Sequence, residues 1–212
     1  MLFVLERPVN ETAVKPTIEF RSPSPFLQWV GKILSKALGW TIDYTVPDDP
    51  KMVVIFYPHT SNLDVVHAIP AAFAIGLKPN WLAKNELFWG PFKGLLLKLG
   101  AIPVDRHRKE NKVDLIADAI QQADQVLLAL SPEGTRSKTE FWRSGFYHIA
   151  NKIQVPIHFG FIDYPSKTIG VHPGFVPTGD VEADLEKIRA FYKDKRGKHP
   201  ENVGPIKFRD KS

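Results

Sequence analysis

The chain has no cysteine among its 212 residues, which removes disulfides, thiolate metal sites and a covalent cysteine nucleophile. It also lacks a long apolar run. The longest, Val65 to Leu77, is interrupted by His67 and Pro70 and falls short of the roughly 18 residues that cross a bilayer, so the chain is not expected to span a membrane by itself. No Gly-x-Ser-x-Gly elbow occurs, so the strained serine nucleophile of that motif is absent too. Internal repeats and low-complexity tracts are missing. The first residues, Met1-Leu2-Phe3-Val4-Leu5, meet Glu6 and Pro8 at once, without the charged leader or apolar length of a signal peptide, and a cytoplasmic location is expected.

What is present in excess is positive charge: 28 lysines and arginines against 23 acidic residues. The surplus suits an anionic partner such as a membrane surface, a phosphorylated substrate or nucleic acid, and is too small to choose among them. The run Arg106-His107-Arg108-Lys109 is short and carries no interleaved aromatics on which bases could stack, so nucleic acid is not expected.

At this length one domain with a substantial core is expected. Residues 1–22 show no period and are expected to form an extended arm. Ser24-Pro25 reads as an N-cap followed by proline at the first helical position, opening a helix to about Gly39. Gln28, Lys32, Ser35 and Lys36 form a narrow polar stripe on it. Phe26, Leu27, Trp29, Val30, Ile33, Leu34, Ala37, Leu38 and Trp40 make up a broad apolar face. Two readings stay open: the face packs on the body of the protein, or it lies in a membrane interface, with lysines on its polar side and tryptophans at its middle and end. The chain is accordingly divided into this arm and helix (1–45) and the domain proper (46–212), joined by the linker Pro47-Asp48-Asp49-Pro50.

Beyond the linker, apolar runs alternate with helical periods. Strands are expected at 52–57, 81–84, 101–104, 126–131, 155–161 and 168–172, and helices at 63–75, 91–99, 110–123, 145–152 and 181–195. Most of the strands are too continuously apolar to have a wet face. The expectation is an α/β fold with a mainly parallel central sheet flanked by helices, preceded by the amphipathic helix. In such sheets ligands bind where loops leave the carboxyl ends of the strands.

Two motifs stand at such ends. His59-Thr60-Ser61-Asn62-Leu63-Asp64 places an imidazole and a carboxylate five apart. On one continuous helix they would diverge by about 140°, so a helix must start between them, with Ser61 as the expected N-cap. His59 can then fold back onto Asp64, which fixes its tautomer and leaves the other ring nitrogen to accept a proton. The same residues also fit a plain capping box beside a loop histidine. Glu133-Gly134-Thr135-Arg136 follows a buried strand and offers a close backbone approach and a guanidinium fork for a phosphate, or else an ordinary surface turn. Gly100-Ala101-Ile102-Pro103-Val104-Asp105-Arg106 repeats the form of strand, acid, arginine.

Taken in order, these blocks resemble the glycerolipid acyltransferase family, which includes the 1-acylglycerol-3-phosphate (lysophosphatidic acid) acyltransferases. His59 to Asp64 is similar to that family's His-x-Ser-x-x-Asp, Gly100 to Arg106 to its second block, Pro132-Glu133-Gly134-Thr135-Arg136-Ser137 to its third and Val155-Pro156-Ile157 to its fourth. Ala83-Lys84-Asn85-Glu86-Leu87 also resembles the stretch before the second block. Many members have asparagine where this chain has Pro58. The resemblance covers about residues 52–175. It implies His59 as general base with Asp64 as its partner, and Lys84, Arg106 and Arg136 as receptor for the acceptor's phosphate in a pocket shaped by Glu133, Gly134 and Thr135. It further implies no cofactor and no metal. The co-substrate would be an acyl thioester on coenzyme A or acyl carrier protein, the acceptor a phosphorylated lipid, and the enzyme peripheral on the membrane. A metal gathered by His59, Asp64 and His67 is the alternative within enzymes, and a silent lipid-binding protein the alternative outside them.

Overall fold

Among the described residues seven strands make one sheet: β1 (Thr41–Tyr44), β2 (Lys51–Tyr57), β3 (Asn80–Lys84), β4 (Ala101–Val104), β5 (Val126–Leu130), β6 (Ile157–Asp163) and β7 (Thr168–Phe175), in the order β1-β7-β6-β2-β5-β3-β4. The structure is a computed structural model and describes residues 24–45, 49–84, 90, 93–94, 96, 100–104 and 112–209. The arm expected at 1–22 lies outside the described residues, as do residues 46–48 of the linker and most of the helix expected at 91–99.

β2 sits in the interior of the sheet because both its faces are apolar. Val53, Ile55 and Tyr57 point to one side, Met52, Val54 and Phe56 to the other, as the two-residue period of a strand requires. It pairs in parallel with β5 and β6, and β3 pairs in parallel with β5 and β4. The mainly parallel sheet expected from the sequence is therefore what forms. One edge departs from it: β6 turns back into β7 as an antiparallel hairpin, and β1 runs alongside β7. No strand is expected at 41–44, a segment grouped with the arm and helix in 1–45. Four residues carry too little pattern to register.

Helices α3 (Lys112–Gln122), α4 (Gly145–Ile153) and α5 (Val181–Tyr192) cover one face and enclose the larger core, where Ala117, Ile120, Phe146, Ile149, Leu185, Ile188 and Tyr192 meet the odd-numbered side chains of β2. Burying each large side chain there stabilises the fold by about 1.5–3 kcal/mol. The hydroxyl of Tyr192 reaches the carbonyls of Ile55 at 2.8 Å and Gly160 at 2.9 Å, tying α5 to β2 and β6.

The other face carries α2 (Leu63–Ala74) and α1 (Pro25–Ala37). α1 begins at Ser24, whose Oγ accepts the Leu27 N–H at 3.4 Å, and closes at Gly39 with φ +76°, where the Gly39 and Trp40 N–H groups return to the carbonyls of Lys36 and Ser35. It packs on α2 along a narrow strip and leaves most of its apolar face outside. The buried residues of α1 are Gly31 and Ser35. Phe26 and Trp29 are 67% and 59% exposed, and Ile33, Leu34 and Leu38 are open as well. The cause is close backbone approach: a β-carbon at Gly31 would lie 2.5 Å from the Pro70 carbonyl oxygen and 2.7 Å from the Ala74 nitrogen. Small residues let the two helices touch, and the large ones are left outside. Trp40, just past the helix, turns in and is buried. No helix among the described residues is long and apolar enough to cross a membrane.

Candidate active site

The site forms where β2 and β5 end side by side. Beyond β2 a cis peptide joins Tyr57 to Pro58, and the chain reverses through His59, Thr60 and Ser61 into α2. The helix starts at Leu63 with Asn62 at the cap position, one residue later than the cap expected at Ser61. Asn62 makes no capping bond through its side chain. Asp64 reaches back instead, and its Oδ2 accepts the N–H groups of Thr60 at 2.9 Å and Ser61 at 2.8 Å. A carboxylate in the first turn suits the positive end of the helix.

The same Oδ2 lies 3.0 Å from Nδ1 of His59. Asp64 is fully buried, and His59 keeps 15% of its side chain open. With an ionised carboxylate as acceptor, Nδ1 carries the hydrogen and Nε2 is left with its lone pair. Burial by itself would push the Asp64 carboxyl up, but hydrogen bonds from His59, Tyr164 and Ser61 outweigh it and hold it below the usual carboxylate range. Its other oxygen, Oδ1, accepts from the Tyr164 hydroxyl at 2.7 Å.

Glu133 comes from the turn after β5. The family resemblance implies a place for it in the phosphate pocket. The fold directs its carboxyl at the backbone of His59, whose N–H donates to Oε2 at 2.8 Å, with the Ser131 hydroxyl at 3.5 Å. Glu133 is 3% exposed. Burial pushes its carboxyl up to about 7, against the His59 N–H bond that pulls it down. It braces the turn that carries the imidazole.

Gly134 has φ +65°, and the space a side chain would take there is filled by Arg143. Thr135 and Arg136 are exposed, the Thr135 Oγ1 accepting the Ser137 N–H at 3.2 Å. Arg143, also exposed, is a second guanidinium at this turn, and in the sequence it stands seven positions after Arg136, outside the motif. Lys84 closes β3 in register with Val104. The Lys84 side chain and the whole of Arg106 lie outside the described residues.

His67, one helical turn on from Asp64, sits beside Trp40 and Tyr164. Its ring lies tilted at 4.7 Å from Trp40 and edge-on at 6.2 Å from Tyr164, and burial lowers its basicity. Among the described residues no three histidines and carboxylates converge as a metal would need.

Between the sheet and α2 runs an apolar cavity of about 240 Å³. Val54, Phe56 and Leu127 form its floor, Ala68 and Ala72 of α2 its roof, and His59 stands in its wall. A polar group held at the His59 end would leave a hydrocarbon tail out of water in the rest. The C-terminal segment crosses behind the turn: the His199 N–H donates to Thr60 Oγ1 at 3.1 Å, and the Tyr164 N–H to the Arg196 carbonyl at 3.0 Å.

The family described as Acyltransferase matches residues 41–158, a stretch that starts at β1 and ends in β6. Among solved structures, the fold is similar to that of the 1-acyl-sn-glycerophosphate (LPA) acyltransferase PlsC from Thermotoga maritima, with a TM-score of 0.52 and 17% sequence identity over 79% of this chain and 74% of that one. No curated protein matches the sequence.

Proposed function

Because the chain belongs to the acyltransferase family and is an O-acyltransferase, we propose that it moves a fatty acyl group from an acyl thioester to the hydroxyl of a lysophospholipid, with 1-acylglycerol 3-phosphate as acceptor. Nε2 of His59 takes the hydroxyl proton as that oxygen attacks the thioester carbonyl. The tetrahedral intermediate collapses with loss of the thiolate, which recovers the proton from His59. The protein is never acylated, consistent with the absence of cysteine and of a serine elbow. Proton transfer of this kind contributes about 10²- to 10⁴-fold, and holding the two substrates in line supplies much of the rest.

The observation that carries this reading is the placement of His59: its Nδ1 is held by a buried carboxylate, and its ring stands in the wall of an apolar cavity. The acyl chain occupies that cavity. Arg136 and Arg143 at the turn after β5 receive the acceptor phosphate, joined by Lys84 and Arg106, the two further cations that the family resemblance implies. The donor is acyl-CoA or acyl carrier protein, and no further cofactor is required. The exposed apolar face of α1, with Lys32 and Lys36 exposed beside it, supports peripheral contact with an anionic membrane on the cytoplasmic side.

The deciding experiment is a panel of lysolipids and glycerol 3-phosphate offered with one acyl-CoA and one acyl carrier protein thioester, with products identified by mass spectrometry. Acceptor-dependent thiol release and a diacyl product support the reading. Thioester consumption that no acceptor accelerates would overturn it. Transfer to glycerol 3-phosphate alone would keep the chemistry and change the acceptor.

A further inference from the structure

We infer that Tyr164, in the turn between β6 and β7, is a positioning residue for the reaction: its hydroxyl fixes the second oxygen of Asp64 and so sets the orientation and charge of the carboxylate that holds His59. The inference rests on the reading of His59 and Asp64 as the proton-transfer pair. Tyr164 lies beyond the stretch matched by the family and in none of the blocks that carried the resemblance.

The two oxygens of Asp64 are served very differently. Oδ2 receives three donors, from His59, Thr60 and Ser61. Among the described residues Oδ1 receives one, the Tyr164 hydroxyl at 2.7 Å. The carboxylate is 0% exposed, so water does not replace a missing donor, and a buried anionic oxygen left bare is costly. With both oxygens engaged from opposite sides, the carboxylate cannot swing about its last bond, and the lone pair offered to His59 keeps one direction.

Tyr164 is itself held independently of that bond. Its N–H donates to the Arg196 carbonyl, and its ring packs edge-on against Trp40 at 5.1 Å and beside His67 at 6.2 Å. Burial and the adjacent Asp64 keep the phenol far above its usual range, so it stays neutral and acts only as a donor. The dyad is thereby braced from two pieces of chain far apart in sequence: the continuous turn that leads from β2 into α2, and the β6–β7 turn.

The test is Tyr164→Phe in the full chain, which keeps the ring and removes the hydroxyl, assayed with acyl-CoA and 1-acylglycerol 3-phosphate across pH. Turnover should fall about tenfold, the factor that goes with one charge-assisted hydrogen bond, with both KM values within about twofold. The acid limb of kcat/KM should move to higher pH, because Asp64 takes a proton more readily once a bond that opposed its burial is gone. Tyr164→Phe combined with Asp64→Asn should be no slower than Asp64→Asn alone. A profile that superimposes on wild type, or a full further tenfold loss in the double variant, would overturn the inference. If Asp64→Asn keeps wild-type turnover, the reading of the dyad falls and this assignment with it. If Asp64→Asn is slow while Tyr164→Phe leaves the profile in place, only the assignment falls.

Discussion

Nδ1 of His59 and Oδ2 of Asp64 meet at 3.0 Å across the first turn of α2, and the carboxylate that makes this contact also closes the N-terminus of the helix through Thr60 and Ser61. The two duties separate under mutation. His59→Ala removes the proton acceptor from a partly open position and should abolish transfer while leaving the melting temperature nearly unchanged. Asp64→Asn should slow transfer by roughly 10²- to 10⁴-fold through loss of the tautomer and also destabilise the protein by about 1–3 kcal/mol, because a buried, multiply bonded charge is replaced. Thiol release and thermal unfolding measured on both variants check this. An active His59→Ala would remove the imidazole from the chemistry.

Glu133 and Asp64 give opposite pH dependences of stability. Glu133 is held up to about 7 in the fold against an ordinary value of 4.5. Between those values the unfolded chain loses the proton that the folded one keeps, so stability falls as pH rises through this window, by up to about 3 kcal/mol. Asp64, held below its ordinary 3.8, contributes stability at neutral pH that is lost as pH falls through its lowered range. Glu133→Gln should therefore gain stability relative to the parent between pH 5 and pH 8, read from urea midpoints. A constant difference across that span would show that Glu133 is ionised throughout.

Gly197 passes against the buried Thr60, and a β-carbon there would stand 2.6 Å from Thr60 Oγ1 and 2.9 Å from its methyl carbon. Gly197→Ala should push the turn that carries His59, costing about 1–3 kcal/mol of stability and lowering turnover together with it. Unchanged kinetics and melting would mean that the C-terminal segment yields freely and does not brace the site.

The exposed face of α1 should be removable without harm to the fold. Phe26→Glu and Trp29→Glu alter side chains that are 67% and 59% exposed, so each should change stability by no more than about 0.5 kcal/mol while reducing co-sedimentation with anionic vesicles. Wild-type sedimentation of the double variant would argue against α1 as the membrane contact.

How far the sequence speaks differs from element to element. β2 and β5 are legible because each is an apolar run ended by turn residues, and the contact of His59 with Asp64 is legible because a helix boundary between them brings the two together. α1 is legible as a helix but not in its orientation. A helical wheel ranks residues by hydrophobicity, whereas contact with α2 is decided by how near two backbones can come, which favours Gly31 and Ser35. The bracing of His59 by Glu133 joins residues 74 apart in sequence, and the Tyr164 bond to Asp64 spans 100. A lone tyrosine in a hairpin turn has no spacing to betray it.

α2 serves both the dyad and the cavity. Its first turn bears Asp64, and its next two turns, through Ala68 and Ala72, form the ceiling over the apolar cavity. A tail too bulky for the cavity would lift the same rod that aims the carboxylate, so a misfit at the far end would be felt as a misaligned base. Discrimination among fatty chains would then register as slower turnover at saturating donor, with weaker donor binding a lesser part of it.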